Sequence, residues 1–118
     1  MMEPLQRTEM EDIASRIIGC AEADAVAVSI DSAVTGNTRF AVNELTTVGD
    51  IIDTRVNVTA SFGSRQATIQ TNDLSNDVLR TAVRRAESLA KLVPEDPEAM
   101  PPLGPQTYPI VDAYTEST

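Results

Sequence analysis

The residues with chemistry to offer are few, and their spacing decides what each can do. No histidine occurs among the 118 residues. That excludes Ser-His-Asp and Cys-His nucleophilic machinery as well as any histidine-ligated zinc. Two carboxylate pairs remain, Asp50 with Asp53 and Asp73 with Asp77. Paired carboxylates carry acid–base chemistry only where their surroundings split their pKa values. The first pair flanks Gly49 and the second an expected helix start, so turn and cap roles account for both. The single cysteine, Cys20, cannot form an internal disulfide. On the rim of an apolar helix stripe it reads as a half-buried structural thiol. Gly36-Asn37 and Gly63-Ser64 are hairpin-turn sequences rather than phosphate loops.

Arg39, Asn43 and Arg55 form the candidate site. If Phe40, Val42 and Val56 face the helices, strand alternation puts Arg39 and Asn43 on the open sheet face with Arg55. Guanidinium and amide groups there can hold carboxylates or main chain, which makes a docking face for a partner domain or a peptide. Ordinary surface strand residues are the competing reading. An edge strand offers a second mode, strand addition by an extended peptide. Arg80, Arg84, Arg85 and Lys91 are the basic cluster, with Glu87 spaced to pair with Arg84 and Lys91; they read as a solvated helix face.

These side chains need elements to position them. Met10, Ile13, Ala14, Ile17, Ile18 and Ala21 recur at helical spacing, and Thr8 with Glu11 has capping-box spacing, so a first helix is expected over about residues 9–22. From Ala25 the period becomes two: Val26, Val28 and Ile30 alternate with polar residues. Thr35-Gly36-Asn37 then supplies a turn, after which Ile30 falls opposite Phe40 and Val28 opposite Val42. A second hairpin turns at Gly63-Ser64 and pairs Phe62 with Arg65, Ala60 with Ala67 and Val58 with Ile69. Keeping the apolar face in phase between the hairpins requires a three- or five-residue loop, or a bulge, near Gly49. Ser75 is the expected N-cap of a second helix whose stripe runs from Val78 to Val93 and which Pro94 ends.

The expected fold is therefore α+β, a two-layer sandwich of a four-stranded antiparallel meander with two helices on one face, in the order α-β-β-β-β-α. Residues 1–93 form this domain. Residues 94–118 hold six of the seven prolines and read as a Pro-rich acidic linker toward a missing C-terminal domain. The net charge of −9 divides as −4 over residues 1–24, zero over 25–92 and −5 over 93–118. Acidic ends are repelled by phosphate backbones, so nucleic acid is not an expected partner. No apolar run approaches the ~20 residues of a membrane helix, the N-terminus lacks the order of a signal peptide, and a lone thiol fits a reducing cytoplasm.

The run Gly36-Asn37-Thr38-Arg39-Phe40-Ala41-Val42-Asn43, then Asp53-Thr54-Arg55-Val56-Asn57-Val58, resembles the N-terminal domain of the TldD/PmbA family, also called modulator of DNA gyrase. So do Thr71-Asn72-Asp73-Leu74-Ser75, the Ala-rich helix behind it and Pro94-Glu95-Asp96-Pro97-Glu98. The likeness runs in order over residues 8–115 and leans slightly to the PmbA type. It departs at Val42, where many relatives carry a second asparagine before Asn43.

The resemblance implies a subunit of a cytoplasmic, zinc-dependent peptidase that degrades or trims unfolded peptides. In that family a catalytic TldD-type chain pairs with a PmbA-type chain lacking the metal site, and the zinc motif, His-Glu-x-x-x-His, lies in the C-terminal domain. Without histidine this chain takes no catalytic or metal residue from the family. Its expected role is non-catalytic, in assembly and substrate enclosure, and it is expected to hydrolyse nothing alone. Zinc is expected only in the missing C-terminal domain of a catalytic member. The expected partners are that C-terminal domain, a homo- or hetero-dimer partner of the same family and unfolded peptide. The alternative is a free-standing protein- or peptide-binding module using the polar sheet face or an edge strand.

Overall fold

The computed structural model describes residues 3–117. Its elements are α1 (Arg7–Cys20), β1 (Ala25–Ala41), β2 (Glu44–Phe62), β3 (Arg65–Thr71) and α2 (Asn76–Leu92). The strands form one antiparallel sheet in the order β1-β2-β3. The fold is α+β, as expected, but three long and short strands replace the four-stranded meander.

The correction lies in the first hairpin. Gly36 and Gly49 do not turn the chain; they sit inside β1 and β2, where Gly36 pairs with Asp50 and Asn37 with Gly49. The reversal is at Val42-Asn43, with φ of 54° and 60°. Positive φ at both central residues is the conformation of a type I′ two-residue hairpin turn, whose twist matches that of the strands. Ile30 consequently pairs with Val56 and Val28 with Val58, instead of with Phe40 and Val42. This register sets the apolar half of β1 directly beside the apolar half of β2, so one narrow helix layer covers both. The meander would have inserted another strand between them.

The irregularity expected near Gly49 is a bulge at Thr46, three residues before it. Register shifts between Arg39 and Phe40, leaving Thr46 as the extra residue between Thr47 and Leu45. The bulge returns Leu45 to the side of Phe40, its cross-strand partner. The second hairpin is as expected: Phe62 pairs with Arg65, Ala60 with Ala67 and Val58 with Ile69. Gly63 takes φ 60° in its turn, a conformation open to glycine at no steric cost.

Both helices start close to where the residues predict. In α1 the cap is Gln6 rather than Thr8, its backbone N–H donating to Glu9 Oε2 at 2.8 Å. In α2 the N-cap is Ser75, whose backbone N–H donates to Asp73 Oδ1 at 2.9 Å. The helices bury Ile13, Ile17, Leu79, Val83 and Ala86 against Val56, Val58 and Ala60. No aromatic belongs to this core, so branched aliphatics and alanines fill it.

Beyond Val56 the sheet narrows. β3 ends its pairing at Val56, and the remainder of the β1–β2 ladder, residues 33–53, runs on as a two-stranded arm. Every residue of that arm is exposed. At ~3.3 Å per residue the arm reaches about 30 Å. The radius of gyration is 18.9 Å, against about 13 Å for a compact chain of this length. Residues 94–117 contain no helix or strand and are exposed throughout, Tyr108 and Tyr114 included. The tail's start is tied to the second hairpin: Asp96 N donates to Ser64 O at 3.1 Å, and Arg65 lies 3.8 Å from Glu95. The outermost residues of the two sequence-defined regions, 1–2 and 118, lie outside the described residues. Among those described, no helix is long and apolar enough to cross a membrane.

Candidate docking surface

Alternation along β1 and β2 sends Asp31, Arg39, Asp53 and Arg55 to the face away from the helices. Arg55 sits opposite Asp31 in the ladder. It grips Asp53 two residues earlier, with Nε and a terminal nitrogen 2.9 and 2.8 Å from Oδ2. Two clefts open beside this pair. One, of about 490 Å³, is lined by Asp31, Ala33, Thr35, Asp53 and Arg55. The other, of about 310 Å³, is lined by Asp53, Arg55, Gln70, Thr71 and Asn72. A guanidinium already holding a carboxylate has part of its fork occupied, so an incoming anion there competes with Asp53.

Arg39 shares the face of Arg55 but not its neighbourhood. It lies opposite Thr47, eight β2 positions from Arg55, or about 26 Å along the strand. Asn43 is in the turn at the arm's tip, beyond the ladder's last pair, Ala41 with Glu44. The structure thus brings Arg39 and Asn43 to the arm's far end and leaves Arg55 near its root. Among the described residues, no ion pair involves Arg39.

The carboxylate pairs separate along structural lines. Asp50 and Asp53 are strand residues of β2. Asp73 accepts from the Ser75 N–H, which holds its carboxyl below the ordinary aspartate value. Asp77 lies in the first turn of α2, where a negative charge suits the helix dipole. Among the described residues no cluster of three or more His, Cys, Asp or Glu could hold a metal ion. The donor set among the described residues does not fit a zinc site.

The basic cluster of α2 borders an apolar groove of about 510 Å³ floored by Ile69 and Leu89, with Arg80, Arg84 and Arg85 on its walls. Arg84 pairs with Glu87 at 2.9 Å and with Glu22 at 3.3 Å. Glu87 is almost fully buried and also accepts from the Glu22 backbone N–H at 2.9 Å. Lys91 does not join Glu87; its ammonium stands 4.9 Å from the centre of the Phe62 ring. Cys20 is half-buried, its thiol donating to the Ile17 carbonyl.

The arm's apolar face is the surface that periodicity did not expose. Val34 pairs with Ile52, Thr38 with Val48 and Phe40 with Leu45, all on the side that continues the core face. None is covered; Phe40 is 77 % exposed and Leu45 68 %. Asn43, a residue tolerant of the left-handed conformation, was the available sign that the chain reverses there.

No protein-family model matches the sequence, and no curated protein sequence does. A solved structure, TldE from Thermococcus kodakarensis, matches the fold with a TM-score of 0.70 at 14 % identity, over 86 % of this chain. At that identity the likeness is one of fold alone. This chain spans 22 % of the length of the TldE chain.

Proposed function

We propose that the chain acts as the non-catalytic N-terminal domain of a TldD/PmbA-type zinc peptidase subunit, serving assembly and substrate enclosure. The observation that carries this reading is the TldE likeness, which covers nearly all of this chain and about a fifth of the other. The ordered motifs from Gly36 to Glu98 support it independently of the fold. An arm with one uncovered apolar face supports an assembly role, because exposed apolar strips of this kind mark contact surfaces.

In this reading the helix-backed sheet is a wall added beside a catalytic domain that holds the zinc in another part of the assembly. The arm, with Arg39 on its open face and Asn43 at its tip, and Arg55 near its root meet a C-terminal domain or a family partner, in the cytoplasm. A chamber walled this way admits extended, unfolded peptide and excludes folded chains. The purified chain should cleave no fluorogenic peptide, with or without added zinc. Cleavage that a metal chelator abolishes would overturn the proposal.

The outer edges of β1 and β3, unpaired among the described residues, favour one second reading, a free-standing module that takes an extended peptide by strand addition. Sequencing the gene past the Thr118 codon separates the two. A continuing frame with His-Glu-x-x-x-His, or its degenerate relic, supports the peptidase subunit; a stop codon supports the module.

A further inference from the structure

Among the described residues, the outer edge of β1 is unpaired along its whole length, Ala25–Ala41. Long bare edges are templates for another strand, and natural proteins blunt them with lysine, proline or bulges. β1 contains no lysine and no proline, and the one register shift places its extra residue on β2. Its two charges are Asp31 and Arg39, of opposite sign and on the same face.

We infer that β1 pairs with β1 of a second copy, antiparallel about Thr35. Two copies related by a two-fold axis through Thr35 place Asp31 opposite the other copy's Arg39, twice. The same register sets Ile30 beside Phe40 and Thr35 beside Thr35, both favourable cross-strand pairs. It also matches faces: each residue meets one of its own side of the sheet, as joining two half-covered sheets demands. Strand alternation predicts Ile30 opposite Phe40 within one chain. That complementarity is left unused by the β1–β2 register and is satisfied between chains.

The geometry also covers what is bare. Ile30 belongs to the partly buried fringe of the core, and the Leu5 N–H donates to Ser32 Oγ at 2.9 Å, so the N-terminal edge of the helix layer lies over this stretch of β1. An arm laid along that edge carries Phe40 beside the other copy's Ile30, where that copy's helix layer shelters it. Two three-stranded sheets become one of six, and each arm gains a third strand. An isolated two-stranded ribbon is marginal in water, whereas three strands with a covered face are stable.

This deepens the assembly role by naming its surface, and its test is separate from the peptidase test. Sedimentation equilibrium of the 118-residue chain at ~0.15 M salt, where charges beyond ~8 Å are screened, should show a dimer. Arg39→Glu or Asp31→Lys alone sets like charges opposite each other twice and should weaken dimerisation by about tenfold or more. The double variant Asp31→Lys/Arg39→Glu restores the pairs with signs exchanged and should return the affinity to within about threefold of wild type. Far-UV circular dichroism of each variant checks that these exposed substitutions leave the fold intact. A chain that stays monomeric to about 1 mM, single variants that dimerise like wild type, or a double variant that fails to recover would each overturn the pairing.

Discussion

Val56 and Val58 stand between two neighbouring strands and beneath α2, with no surface exposed. A few residues back along the same strand, Ile52 and Val48 have one neighbouring strand, no helix above them and substantial exposure. Body and arm share a single ladder, the same alternation and similar residue types. The difference teaches that backbone pairing alone does not make a stable sheet; burial of one face does, and here it stops where β3 and the helices stop.

Matched substitutions sharpen that contrast most. Val58→Asn removes fully buried apolar surface and leaves an amide without partners, and should cost about 3 kcal/mol or more. Ile51→Asn, at a position 66 % exposed on the arm, should change stability by about 0.5 kcal/mol or less. Urea unfolding followed by far-UV circular dichroism measures both, and equal losses would break the distinction.

A smaller effect tests the arm's tip. Val42 is β-branched yet sits at φ 54°, and a left-handed conformation costs such a residue on the order of 1–2 kcal/mol. Val42→Asn should recover about 1 kcal/mol, slowing amide exchange across residues 33–53 while leaving the body unchanged. Exchange slowed equally in both regions would show the arm and body opening as one unit.

The smallest concerns the entry to α2. Asp73 has its carboxyl held below the ordinary aspartate value by the Ser75 N–H. Its contribution is therefore present above the unfolded value, near 3.8, and is lost as pH falls through the lower folded value. Amides in the first turn of α2 should exchange faster below about pH 3.8, and an Asp73→Ala variant should lose that acid-dependent step.

The body was legible and the arm was not, for one physical reason. Val56, Val58, Ala60 and Phe62 alternate cleanly because a helix layer selects one face, so the Gly63-Ser64 hairpin and its register follow from residue types. In the arm no layer makes that selection. Leu45, Val48, Ile51 and Ile52 fall out of strict alternation, and the Thr46 bulge changes the phase. Gly36 and Gly49 then advertise turns that the chain does not make, while Val42 hides the one it does. Of the candidate site, the shared face of Arg39 and Arg55 was readable from parity. Their separation was not, because it depends on which strand pairs with which.

The molecule's spectroscopy follows from where its phenols lie. With no tryptophan and both tyrosines exposed in the trailing segment, tyrosine absorbance and tyrosine emission report on residues 108–114 alone. Melting of the aliphatic interior would pass unseen by those signals, and a change in tyrosine emission would announce that something has gripped the tail.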